Sequence, residues 1–320
     1  MKLSFVIPAH NEESSLAPLV EQIRVAVQGC SGVESLEVLL VDDGSRDSTW
    51  KVIRALALSD PATVRGIRLR RNFGKAQALA AGFEACSGEV VFTLDADLQD
   101  DPREIPRFLA KLHEGHDLVS GWKQNRQDPA SRLLLSTVFN HITARMTGVP
   151  LHDFNCGFKC YRREVVESLR LYGELHRYIP VLAHDLGFRV TEIPVVHHPR
   201  RHGSSRYGWE RCARGSLDLL TVLSTTRWLH KPGHLFGGLG LLLGLIGSVV
   251  LAYLAGLWLL GHGPIGGRPL LLFGMLAVIV GVHLLSLGVV VEFFVKFNQP
   301  TDQRRFIAER VGGAPGDSVA

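Results

Sequence analysis

The first strand-like run of this sequence lacks the glycine fingerprint G-x-G-x-x-G; Ile7 to Glu13 read IPAHNEE in its place. No Walker A loop stands after it, so the phosphate cradles of dinucleotide-binding dehydrogenases and of P-loop enzymes are both excluded. Cysteine is scarce: the five at 30, 86, 156, 160 and 212 show no zinc spacing and read as reduced, buried thiols of a cytoplasmic domain. An excess of one charge is lacking too. A formal balance of +4 over 320 residues gives no electrostatic footprint for nucleic acid, which is not expected as a partner. No signal peptide precedes the first apolar run, LSFVIP, which is far too short to be one.

Charge is absent altogether from two long stretches. Leu235 to Leu260 holds no formal charge in 26 residues, and Pro269 to Val291 has only His283 titratable in 23. At about 1.5 Å per helical residue, each is long enough for a bilayer core of about 30 Å. Runs with no polar face to show water read as membrane spans. The link between them carries one Arg, whereas Arg200 to Arg214 holds five Arg against one Glu, followed by Arg227 and Lys231. Lys296, Arg304 and Arg305 lie beyond the second span. Positive charge stays inside, so the expected arrangement is a two-span protein of the inner membrane, with the N-terminal part and the C-terminal tail both cytoplasmic.

The first 125 residues alternate β-rich runs with helical patterns. KLSFVIP, LEVLLVDD, VRGIRLRR and GEVVFTLDAD lead to helices near Ser14–Gln28, Thr49–Leu58, Lys75–Cys86 and Arg103–Glu114. Such alternation specifies a mainly parallel α/β sheet covered on both faces. Ligands of such sheets bind at the carboxyl ends of the strands, where PAHNEE, DDGS and DADLQ all begin. After Trp122 the pattern loosens into a helix near Ala130–Met146, a turn PLHDFNCGF, a helix near Arg177–Leu186 and an extended RVTEIPVVHH.

The third cluster crowds Asp95, Asp97, Asp100 and Asp101 into seven residues. Like charges this close repel unless a cation sits among them, so the cluster is either a metal site or a solvated turn capping the next helix. On an extended chain, side chains at i and i+2 share a face, which pairs Asp95 with Asp97 and continues to Gln99. Asp100 and Asp101 fit the solvated cap.

FVIPAHNEE, VDDGSRDST, NFGKAQALAAGF and TLDADLQDDP, in this order, resemble glycosyltransferase family 2. DADLQ together with RRHGSSRYG is similar to its dolichol-phosphate mannosyltransferase and bacterial polyprenyl-phosphate glycosyltransferase branch, over residues 3 to 232. The resemblance implies a GT-A domain (1–208), a UDP- or GDP-sugar donor, Mg²⁺ or Mn²⁺, and a polyprenyl phosphate acceptor such as undecaprenyl or dolichyl phosphate. An interfacial helix (209–233), two spans (within 234–292) and a tail (293–320) follow. The implied donor contacts are Pro8, His10 and Glu12, then Val41, Asp42 and Asp43, with Lys75, Asp95, Ala96 and Gln99. His10 stands where the family commonly has Tyr, and Asp42 and Asp43 are also compatible with a plain Asx turn. The implied metal contacts are Asp95, Asp97 and Gln99.

Lys123, standing where relatives tend to have Arg, and Arg132 are implied phosphate or acceptor contacts. Arg200, Ser205 and Arg206 match the family's R-x-x-G-x-S-K pattern and form an implied phosphate clamp, favoured over a juxtamembrane role at lipid head groups, which fits Arg211 and Arg214. Asp153 matches the carboxylate that orients the acceptor, or acts as its base. The expected reaction is inverting transfer by Asp97, Asp153, Arg200 and Arg206. The rivals are a processive polysaccharide synthase, whose Q-x-x-R-W motif has Ser224 in place of Gln, and a non-catalytic sugar-nucleotide binder. A homo-oligomer is left open.

Overall fold

The computed structural model of the protein describes residues 1–124, 130–198, 232–261 and 264–298. These fall into two compact units, one on each side of residues 199–231.

The first unit is built on a seven-stranded sheet of order β3-β2-β1-β4-β6-β5-β7. Its strands are β1 (Lys2–Ala9), β2 (Ser35–Asp42), β3 (Val64–Arg68), β4 (Val90–Thr93), β5 (Leu118–Lys123), β6 (Lys159–Arg162) and β7 (Val190–Val195). The helices are α1 (Leu16–Gln28), α2 (Thr49–Ser59), α3 (Lys75–Ala85), α4 (Ile105–His113), α5 (Ala130–Thr147), α6 (Arg163–Ser168) and α7 (Ile179–Asp185). Among these seven strands the pairings are parallel except those of β6, which runs antiparallel to both β4 and β5.

Both sheet faces are buried, which is why the strands read as continuous apolar runs rather than alternating ones. Leu3, Phe5 and Ile7 of β1 face Leu16, Leu19 and Ile23 of α1 and Phe108 of α4. Val6 faces the other way, into a second cluster with Leu79 and Phe83 of α3 and Tyr161 of β6. Phe5 stacks on Phe92 at 4.9 Å, and Phe108 lies 4.4 Å from Phe158. Two prolines sit where a strand tolerates a missing N–H. Pro194 lies on edge strand β7, and Pro8 lies beyond the β1–β4 pairing, which ends at Val6–Thr93.

Three local expectations are corrected. The helix expected from Arg103 opens instead as a 3₁₀ turn over Pro102–Glu104, capped by Asp101, whose carboxylate accepts from the Arg103 N–H. β6 and α6 lie in a stretch expected to be irregular. DADLQ is not extended: β4 ends at Thr93 and Leu98 adopts φ 61°, so the chain turns through the acids.

The second unit is a helical hairpin, α8 (Pro232–Leu259) and α9 (Pro269–Asn298). A Cβ on Gly240 would meet the Gly281 carbonyl at 2.7 Å, and one on Gly247 the Gly274 carbonyl at 2.7 Å. The paired numbers run in opposite directions, so the helices are antiparallel, and only glycine allows backbones this close. Phe236–Leu259 and Pro269–Phe294 are long and apolar enough to cross a membrane, and most of their surface is exposed in this chain, as a lipid-facing surface would be.

Candidate active site

The chain reverses its strand order between β1 and β4, and a crevice opens outside the carboxyl ends of such strands. Because β6 is antiparallel, its beginning reaches the same rim, so Asp153 to Lys159 arrive beside the ends of β1, β2 and β4.

At the end of β1, His10 Nδ1 lies 2.8 Å from the Asp43 carbonyl and 3.1 Å from Asn72 Nδ2, and its Nε2 lies 3.3 Å from Asn11 Nδ2. Asn11 itself has φ 58°, a conformation Asn tolerates, and its carboxamide oxygen accepts from the Arg46 N–H. The Glu12 N–H donates to Thr49 Oγ1 at 2.8 Å. Pro8 is half-buried, and Val41 is in the core.

At the end of β2 the two acids divide their work. Asp42 is fully buried; one oxygen accepts from the Ser45 N–H at 2.8 Å and the other lies 3.2 Å from Arg68 Nε. Asp43 accepts from the Phe73 and Gly74 N–H groups at 2.7 and 3.0 Å, which orients the start of α3 and hence Lys75.

The Lys75 ammonium donates to Asp95 Oδ1. Burial alone would raise the Asp95 carboxyl, and Asp100 adds to that, yet the charges of Lys75 and Lys123 outweigh both and hold it below the usual carboxylate range. A Cβ on Gly157 would lie 2.5 Å from Asp95 Oδ2, so the carboxylate rests directly on the backbone before β6. Ala96 is buried, and Asp97 follows in the same turn, with the Gln99 N–H 3.3 Å from its Oδ1.

Gln99 is tied elsewhere. Its Nε2 donates to the His198 carbonyl at 3.2 Å, and its own carbonyl accepts from the His198 N–H at 2.8 Å. Asp100, expected in solvent, is instead buried, with Lys123 Nζ 2.9 Å and His197 Nδ1 3.5 Å from one oxygen. Burial alone would raise its carboxyl, but the Lys123 charge and the His197 contact leave it well below the ordinary range.

Asp153 is 1% exposed, and its Oδ1 accepts from the Asn155 N–H at 3.0 Å. Lys159, which sequence reasoning missed, is buried and donates to the Cys156 carbonyl. Burial and the nearby Lys75 push its ammonium below the usual lysine range, against the pull of Cys156, Asp153 and Asp95. Cys156 and Cys160 are free and buried, as are Cys86 and, in part, Cys30. Arg132 falls on α5 with its side chain outside the described set. Arg200, Ser205, Arg206, Cys212, the expected interfacial helix before residue 232 and the tail beyond residue 298 lie outside the described residues. Among the described residues no three His, Cys, Asp or Glu side chains are grouped as a metal cage.

The model of a family described as "Glycosyl transferase family 2" matches residues 4–170, just over half of the chain. The chain belongs to this family. As a family 2 member it is a glycosyltransferase. It is 39% identical to the dodecaprenyl-phosphate galacturonate synthase of Rhizobium johnstonii over 92% of this chain and 88% of that one. It is 36% identical to the undecaprenyl-phosphate 4-deoxy-4-formamido-L-arabinose transferase of Pseudomonas fluorescens, over 97% and 90%. The glucosyl-3-phosphoglycerate synthase of Mycobacterium tuberculosis, solved with Mg²⁺ and UDP, superposes with a TM-score of 0.53 at 22% identity, covering 70% of this chain and 79% of that one. The same enzyme with Mn²⁺, UDP-glucose and phosphoglyceric acid gives 0.51 at 21% identity, over 70% and 79%. These structural likenesses establish the GT-A architecture of the family 2 domain.

Proposed function

We propose that this glycosyltransferase moves a sugar from a UDP- or GDP-sugar to a polyprenyl phosphate at the cytoplasmic face of the inner membrane, with inversion at the anomeric carbon. The observation that carries the proposal is the pairing of Lys75 with the Asp95–Asp97 turn at the strand-order reversal, in a chain whose relatives over nine-tenths of its length are named for polyprenyl-phosphate products.

Two carboxylates in one turn, of which Asp95 rests against Gly157, suit a hard cation that takes its remaining ligands from a diphosphate. Asp95 and Asp97 would hold Mg²⁺ or Mn²⁺, and Gln99, whose side-chain N–H is bound to the His198 carbonyl, would add its amide oxygen. When bound, the ion supplies charge neutralisation for the departing nucleoside diphosphate. Lys75 releases Asp95 as the donor arrives and turns its ammonium to the phosphates. His10, Glu12 and Asp43 line the end where the base sits, and Asp42 keeps the turn in shape. Arg200, Ser205 and Arg206 clamp the acceptor and donor phosphates, and Arg132 lends further charge.

A phosphate monoester has its second pKa near 6, so at about pH 7 the acceptor is already a nucleophile. Asp153, buried and engaged with the backbone at Asn155, therefore serves as an orienting group for the acceptor segment rather than as an obligatory base. The excess of Arg between residues 200 and 214 sets the orientation of the hairpin, with the catalytic domain and the C-terminus on the cytoplasmic side.

Membranes carrying the protein, incubated with labelled UDP- and GDP-sugars and undecaprenyl phosphate, test the proposal. The expected product extracts into organic solvent and is released by mild acid. A water-soluble polymer would support a processive synthase instead, and no transfer from any donor would overturn the reading.

A further inference from the structure

The acid turn is fastened to the residues that follow β7, the last described residues of the first unit, by several contacts. Gln99 exchanges two hydrogen bonds with the His198 backbone, at 2.8 and 3.2 Å. Asp100 and His197 form an isolated antiparallel bridge. His198 Nε2 lies 3.2 Å from Asp101 Oδ2. Beneath these, the side chain of Asp100 has no exposure at all and faces Lys123 Nζ at 2.9 Å and His197 Nδ1 at 3.5 Å. A carboxylate taken wholly out of water is costly unless paired, and a plain turn or helix cap needs no such group. Asp101 already caps the following helix turn, so Asp100 is not required for that.

The chemistry of Lys123 follows from the same geometry. It sits at the end of β5, between β6 and β7, with 11% of its side chain exposed and its ammonium turned to Asp100. In sequence the two histidines immediately precede Pro199 and Arg200. The residues that immediately precede the proposed phosphate clamp in sequence are thus held by the acid turn itself.

We propose that Asp100, Lys123 and His197 are positioning residues: a buried tie that fixes the Asp95–Asp97 turn against the exit of β7, so that donor-binding acids and the chain leading to Arg200 are set in one mutual position. The inference rests on the reading of Asp95 and Asp97 as donor-binding groups. It reassigns Lys123 from a phosphate contact to a structural cation, and it gives a role to a histidine pair that carries no motif.

Breaking a buried pair on one side leaves an uncompensated charge, whereas replacing both sides is often tolerated. Steady-state transfer by the purified full-length protein in detergent, for Lys123→Met, Asp100→Asn and the double variant, reads this directly. Each single variant is expected to lose kcat by about 30-fold with donor KM changed less than about threefold, and the double variant to regain about tenfold over Lys123→Met. A double variant no better than Lys123→Met, with donor KM raised in both, would make Lys123 a phosphate contact and overturn the tie. Single variants as active as wild type would overturn it as well. Should the single variants fail to fold, the double variant decides: kcat within about tenfold of wild type supports the tie, and a larger loss overturns it. Asp97→Ala, run alongside, keeps the two ideas apart, because retained transfer in that variant refutes the donor site itself.

Discussion

Gly157 leaves no room for a side chain, since a methyl group there would press on the Asp95 carboxylate at 2.5 Å. Gly157→Ala is therefore expected to displace the turn and lower kcat by about 100-fold while the melting temperature barely moves; unchanged kcat would mean that the carboxylate can shift without consequence. Asp97→Ala is expected to remove metal-dependent transfer. Asp95 and Asp97 stood out as candidates in the sequence because their signal is local, two acids with one residue between them after an apolar run. Gly157 and Lys159 did not, since they matter only through the antiparallel pairing that brings β6 alongside β4. Asp100 was misread for the same reason. Its neighbours suggested a solvated turn, but its partners Lys123 and His197 lie 23 and 97 residues further along the chain.

Among the elements, those with a strong period were legible and the short ones were not. α1, α2 and α3 begin and end within about two residues of the positions their apolar spacing implies, the ordinary uncertainty of a helix end. β6 has four residues between a loop and α6, too few to show a pattern, yet it makes two antiparallel pairings. Its neighbour Phe158 packs against both Phe92 and Phe108, so Phe158→Ala is expected to cost about 3–5 kcal/mol of domain stability by denaturant titration. In the hairpin, a Cβ at Gly281 would meet the Gly240 carbonyl at 2.7 Å. Gly281→Ile should force α8 and α9 apart and destabilise the hairpin by about 1–3 kcal/mol, read as a lower melting temperature in detergent. An unaltered melt would show that the close approach is dispensable.

At the scale of the molecule, Glu37 is buried near the start of β2, at the opposite end of that strand from Asp42. Burial would raise its carboxyl, but Ser4 at 2.6 Å, the Ser87 N–H at 2.9 Å and Arg65 at 2.8 Å donate to it and leave it below the usual range. A depressed folded value means that this contribution to stability is present above the unfolded value of about 4.3 and is lost as pH falls through the folded one. Glu37→Gln is expected to lower stability at neutral pH and to flatten the acid limb of a melting-temperature profile; a parallel profile would remove Glu37 from the acid response. The two-unit plan was the most legible feature of all, because 26 uncharged residues in a row have few soluble alternatives.

The central claim is that the Asp95–Asp97 turn takes up a nucleoside diphosphate together with a divalent cation. Isothermal titration of the detergent-solubilised full chain with UDP and with GDP, in Mn²⁺ and again in EDTA, tests it most directly. The expected result is binding of one of the two nucleotides that requires the ion and vanishes in Asp97→Ala. Binding of equal strength in EDTA and in Asp97→Ala, or no binding of either nucleotide in Mn²⁺, would contradict it.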